Sequence, residues 1–151
     1  MKSMMSKTFT LVAIAAILLS FKANFGGEGF EISLNGKIVL QQFGKDMELV
    51  KTLQLHSASP NDKLTIRYYH CGKVGKNRTL TIKDGQNNLV KEWRFKDASS
   101  AAADMSCNVQ DLFSLKKGNN NVLNLYYSSS ELPKGRQLAS VILQNSVKVQ
   151  P

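Results

Sequence analysis

The stretch Asp62-Lys63-Leu64-Thr65-Ile66-Arg67-Tyr68-Tyr69-His70-Cys71-Gly72-Lys73-Val74-Gly75-Lys76-Asn77-Arg78-Thr79-Leu80-Thr81-Ile82-Lys83 holds two alternating apolar runs around a basic, glycine-punctuated loop. Leu64, Ile66 and Tyr68 share one face of the first run, and Leu80 and Ile82 share one face of the second. That period of two is what half-buried strands require. The segment therefore reads as two strands and their connection.

Working outward, the same signals recur on both sides. Phe30-Glu31-Ile32-Ser33-Leu34 alternates, Asn35-Gly36 follows, and Lys37-Ile38-Val39-Leu40-Gln41 continues. Asn-Gly between apolar runs predicts a hairpin, because both residues tolerate the positive φ of a type I′ turn. Leu49 to His56 reads as a third strand, ended by turn formers from Ser57 to Asp62. Beyond the central stretch, Asp84-Gly85-Gln86-Asn87-Asn88 turns the chain and Leu89 to Phe95 returns from it.

Asp97 to Met105, with its run Ala101-Ala102-Ala103, suits a short helix near 98–106 capped by Asp97 or Ser99, or else a loop. Val109 to Leu115 fits a strand or a single helical turn. Val122 to Tyr127, Gln137 to Leu143 and Val147 to Val149 complete the pattern. About 8 or 9 short strands with turn signals between them predict an all-β fold: a single antiparallel β-sandwich, jelly-roll-like or Greek key.

The N-terminus places Lys2 and Lys7 before the apolar run Phe9 to Leu19, closed by Ser20-Phe21-Lys22-Ala23. A basic start, a short apolar middle and a small closing residue describe a secretory signal over residues 1–23. The 11-residue run is short of the roughly 20 residues that span a bilayer, so no transmembrane segment is expected after its removal. Residues 24–29 then form a linker, and residues 30–151 one domain. Export to the periplasm, the cell surface or the medium follows. Removing Lys2, Lys7 and Lys22 lowers the net charge from +9 to +6. The remaining basic excess favours acidic partners, with plain solubility as the alternative reading.

Cys71 and Cys107 are an even pair in an exported chain, and an oxidising compartment lets such a pair bridge. A disulfide closing that loop would stabilise by about 4 kcal/mol. Two separate thiols are the alternative.

Mechanistic motifs are sparse. Neither a Gly-x-Ser-x-Gly elbow nor a His-Glu-x-x-His helix occurs. Gly72-Lys73-Val74-Gly75-Lys76-Asn77 is too short between glycines for a phosphate loop, and Asn77 stands where a metal-binding Ser or Thr belongs. Asp84, Asn87 and Asn88 suit a turn better than a calcium loop. His56, His70, Cys71, Met105 and Cys107 are too scattered for a copper-type site, so no metal or cofactor is expected.

The basic loop is the most suggestive feature. Arg67, Lys73, Lys76 and Arg78 are placed to converge near Tyr69 and hold a sulfate, carboxylate or phosphate group, with Tyr69 as a stacking face. The alternative is a solvated loop. Trp93 reads as core rather than a sugar platform, and at most one of Tyr126 and Tyr127 can face solvent.

Phe30 to Gln42, Tyr68-Tyr69-His70-Cys71-Gly72 and Tyr126 to Ala139 resemble small exported proteins of Bacteroidetes-type bacteria that have no assigned function. The turn Leu115 to Leu125 is similar to the final hairpins of jelly-roll and galactose-binding-like sandwiches. The resemblance implies a periplasmic or surface β-sandwich and carries no site residues.

The functional expectation is a non-catalytic exported binding protein for a glycan or another anionic surface polymer, with an envelope protein as the other partner class and no nucleic acid expected. One alternative is a structural or assembly protein that pairs through a sheet edge, with Ser128-Ser129-Ser130 or the terminal strand as the edge. Another is an enzyme combining His70 or His56 with Asp111 or Asp104.

Overall fold

The structure is a computed structural model, and it describes residues 27–56 and 59–144. The signal segment, most of the linker, Ser57, Ala58 and the Val147 to Val149 strand expected at the C-terminus lie outside the described residues. Nine strands are present among the described residues: β1 (Gly29–Leu34), β2 (Lys37–Phe43), β3 (Lys51–His56), β4 (Lys63–Tyr69), β5 (Arg78–Lys83), β6 (Leu89–Phe95), β7 (Met105–Asn108), β8 (Val122–Ser128) and β9 (Arg136–Gln144). They form a four-stranded sheet in the order β2-β1-β4-β7 and a five-stranded sheet in the order β3-β9-β8-β5-β6.

Alternation sets the core. Phe30, Ile32, Leu64, Ile66, Tyr68, Met105 and Cys107 point inward from the smaller sheet. Leu53, Leu55, Leu80, Ile82, Leu123, Leu125, Tyr127, Val141 and Leu143 face them from the larger one. Each fully buried large apolar side chain contributes roughly 1.5–3 kcal/mol by leaving water. Trp93 and Phe95 pack against this core from β6.

The Asn35-Gly36 hairpin forms with both residues at positive φ (52° and 82°), as the type I′ turn demands. Asn35 also ties the neighbouring strand, since its side chain donates to Asp62 (2.9 Å) and accepts from the Lys63 N–H (2.9 Å).

Three expectations need correction. First, the sandwich is not wholly antiparallel, because β3 pairs with β9 in parallel register, Leu53 opposite Val141. The chain crosses from β2 to the larger sheet through a 3-10 turn (Gly44–Glu48) and so enters beside the last strand running the same way.

Second, residues 98–106 form no helix. They bend and turn, then enter β7, where Met105 and Cys107 alternate inward. A run this short gains too little from alanine to nucleate a helix alone. The helix lies one segment later, α1 (Val109–Ser114), with Val109 and Leu112 buried at i and i+3.

Third, Cys71 and Cys107 are both free thiols, one exposed and one buried. Cys107 stands opposite Leu64 at the start of β4, whereas Cys71 lies seven residues beyond Leu64. At about 3.3 Å per residue the strand from Leu64 to Tyr69 alone spans roughly 16 Å, far beyond the reach of a disulfide.

Strand directions divide the turns between two ends. One end carries the 3-10 turn and the segments 70–77, 96–104 and 129–135; the other carries Asn35-Gly36, 59–62, 84–88, α1 and 115–121.

Candidate functional site

On the four-stranded sheet, residues alternate with the core positions to make an outer face. Gly29, Glu31 and Ser33 come from β1, and Thr65, Arg67 and Tyr69 from β4. Register places Gly29 between Phe43 and Tyr69, and Glu31 between Gln41 and Arg67. Without a side chain on Gly29, the Phe43 ring lies over its α-carbon, and a Cβ there would strike the ring. Phe43 thereby reaches Tyr69, with ring centroids 5.6 Å apart. An aromatic corner results.

A polar row continues from that corner. Tyr69 Oη donates to Glu31 at 2.9 Å. Arg67 Nε donates to one oxygen of Asp104 and its second nitrogen approaches the other at 3.4 Å. Thr65 and Ser106 share a hydroxyl hydrogen bond of 2.8 Å across β4 and β7. A depression of about 180 Å³ is lined by Glu31, Ser33, Ile38, Thr65, Arg67 and Asp104. The hydrogen bond and charge of Asp104 hold the Arg67 guanidinium above its usual pKa, so it stays charged. Burial, then Glu31, raises the Tyr69 phenol. The face thus offers carboxylate acceptors, a fixed guanidinium and hydroxyls beside an aromatic surface, a set suited to hydroxyl-rich ligands.

The five side chains expected to converge are divided among different surfaces. Arg67 and Tyr69 share the outer face. Lys73 borders a separate depression of about 270 Å³ with Glu28, His70, Cys71, Glu131 and Leu132. Lys76 is exposed and held through its backbone N–H, which donates to Glu131 at 2.9 Å. Arg78 is only 7% exposed: its Nε and one terminal nitrogen donate to the Lys96 carbonyl at 3.0 and 2.9 Å, and the other terminal nitrogen donates to the Ala103 carbonyl at 2.9 Å. It ties down the segment before β7 and lines a depression separate from the outer face, with Asn77, Thr79, Glu92 and Arg94.

The histidines likewise separate. His56 is exposed on β3, opposite Gln144. His70 is 8% exposed, with Nε2 at 2.9 Å from Tyr127 Oη and 3.3 Å from Ser129 Oγ. Asp104 is engaged by Arg67, and Asp111 lies on α1 at the far end from His70. Among the described residues no hydrogen bond joins either histidine to Asp104 or Asp111. Among the described residues no group of three or more His, Cys, Asp or Glu side chains is arranged to hold a metal ion.

The edge candidates also change. Among the described residues β8 is flanked by β9 and β5, and β9 by β3 and β8, so neither β8, which ends at Ser128, nor the Gln137 to Leu143 part of the expected terminal strand is an edge. Among the described residues the edges are β2, β7, β3 and β6.

No protein-family model matches this sequence, and no curated protein is significantly similar to it.

Proposed function

We propose that the chain is an exported, non-catalytic β-sandwich binding protein that takes a neutral glycan on the outer face of the four-stranded sheet. The observation that carries this reading is the continuity of the Phe43–Tyr69 corner with the Glu31–Arg67–Asp104 row on one face. A sugar ring presents an apolar face and a rim of hydroxyls, and this surface pairs an aromatic ring with charged hydrogen-bonding groups. Charge favours a neutral ligand over a polyanion. Arg67 is already matched by Asp104, and Glu31 adds a second carboxylate beside them.

Binding to neutral and anionic glycans at low and physiological salt tests the reading. The expected result is neutral-glycan binding that resists salt, weakens about tenfold or more on Tyr69→Ala or Arg67→Ala, and ignores Lys73→Ala and Lys76→Ala. Salt-sensitive binding that follows the two lysines instead would overturn it.

A second reading, an envelope assembly protein pairing through a sheet edge, rests on β2, where Ile38 (50%) and Val39 (39%) are exposed. Concentration-dependent association without glycan binding would favour that reading.

A further inference from the structure

We propose that the end of the sandwich formed by the β5–β6 turn and the segment following α1 docks on an anionic lipid surface. Two turns lie side by side there. A Cβ on Gly85 would come 3.5 Å from the Asn120 side chain, and Asp84, Val90, Leu115, Lys117 and Asn120 line one small depression.

This adjacency gathers lysines that are far apart in sequence. Lys83 and Lys91 flank the first turn, and Lys116 and Lys117 open the second. Among the described residues none of the four is ion-paired with a carboxylate. Lys83 lies over the Tyr126 ring at 4.6 Å and Lys91 over the Trp93 ring at 5.8 Å, both rings two positions farther from the turn, so Lys116 and Lys117 lead the contact and this pair adds its charge from behind them. Asp84 does not neutralise them by contact. Its carboxylate accepts from the backbone N–H groups of Gln86 and Asn88 and from the Asn88 side chain, and so holds the turn.

Leu89 decides between a lipid surface and a soluble polyanion. It stands opposite Lys83 in register and is 62% exposed amid the lysines. An apolar side chain adds to binding only where it can leave water, as at the boundary between headgroups and acyl chains. Cationic side chains next to an anionic leaflet each strengthen binding about fivefold. The combination supplies both contributions at one end of the sandwich. It is also separate from the outer face of the smaller sheet, so it does not depend on glycan binding.

Among the described residues every strand lies between Gly29 and Gln144, so residues 24–151 hold all of them and serve for the test. Co-sedimentation is measured with vesicles of phosphatidylcholine alone and of phosphatidylcholine mixed with phosphatidylglycerol. Binding is expected only to the mixed vesicles, weakened on the order of 25-fold by K116Q/K117Q and about tenfold by L89S, with Tyr69→Ala without effect. Equal binding to neutral vesicles, no vesicle binding, or binding indifferent to K116Q/K117Q would overturn the proposal. Binding to heparin that falls with the lysine change, alongside vesicle binding that L89S leaves untouched, would also overturn it and reassign the patch to a soluble polyanion.

Discussion

His70 follows the last residue of β4, and its ring is enclosed by aromatic and hydroxyl groups: Tyr68 at 4.7 Å, Tyr127 at 5.6 Å between ring centres, and the two hydroxyls at Nε2. Tyr127 Oη has a proton to donate and His70 Nε2 beside it, so the neutral ring with an open Nε2 suits the site. Burial lowers the His70 pKa below 6.5, and Lys73 adds to that, while Glu131 and Glu28 act in the opposite direction. A histidine with a lowered folded pKa contributes stability that is complete above its unfolded value and is lost as pH falls through that value toward the folded one. Urea unfolding should therefore show a midpoint that declines as pH drops from about 7.5 to about 5.5. His70→Gln keeps a polar side chain without the titration, and it should flatten that part of the profile. An unchanged pH dependence in the variant would place the proton elsewhere.

At the scale of elements, Gly29 shows how a backbone position governs a surface. It sits in β1 between two aromatic residues, and only the absence of a side chain lets Phe43 lie across it toward Tyr69. Gly29→Ala should displace the Phe43 ring, cost about 1–3 kcal/mol in urea unfolding, and weaken glycan binding together with stability. Tyr69→Ala, by contrast, should weaken binding with a smaller loss of stability, because its side chain lies on the outside of the sheet. Much of this architecture is legible from alternation. Arg67 and Tyr69 share a parity opposite to Leu64, Ile66 and Tyr68, which assigns them to the outer face. The same rule, applied to Arg78, Leu80 and Ile82, places Arg78 inward, and treating Arg78 as part of a loop hides that. Glu31 and Asp104 are not legible as partners of Tyr69 and Arg67, since their meeting depends on which strands become neighbours. The β3–β9 pairing is hidden for the same reason. Local turns announce hairpins, whereas a parallel pair joins strands separated by most of the chain. The helix is only half legible: Val109, Leu112 and Phe113 suit a helical turn, but with Leu115 the run fits a strand as readily, and the alanine run distracts because propensity without a buried face is a weak signal.

For the whole molecule, the two cysteines report on the relation between its ends. An even cysteine count in an exported chain suggests a crosslink, but counting carries no information about distance. Cys71 occupies a turn residue at positive φ (49°) past the end of β4, and Cys107 faces the core near the other end of that strand. Their environments give them opposite chemistry. Burial, followed by Asp111, pushes the Cys107 thiol up to about 12, so it holds its proton and is shielded from reagents. Cys71 is exposed. Thiol titration of the native protein should accordingly label Cys71 quickly and Cys107 only on unfolding, and a reductant should leave the thermal midpoint unchanged. Cys71→Ser should abolish native labelling with little effect on stability, whereas Cys107→Ser, which puts a hydroxyl against Leu64 and the core, should cost about 1–3 kcal/mol. If neither thiol reacted after unfolding without reductant, and reduction lowered the midpoint, the strand register that separates the two cysteines would have to be wrong, and with it the placement of β7 beside β4.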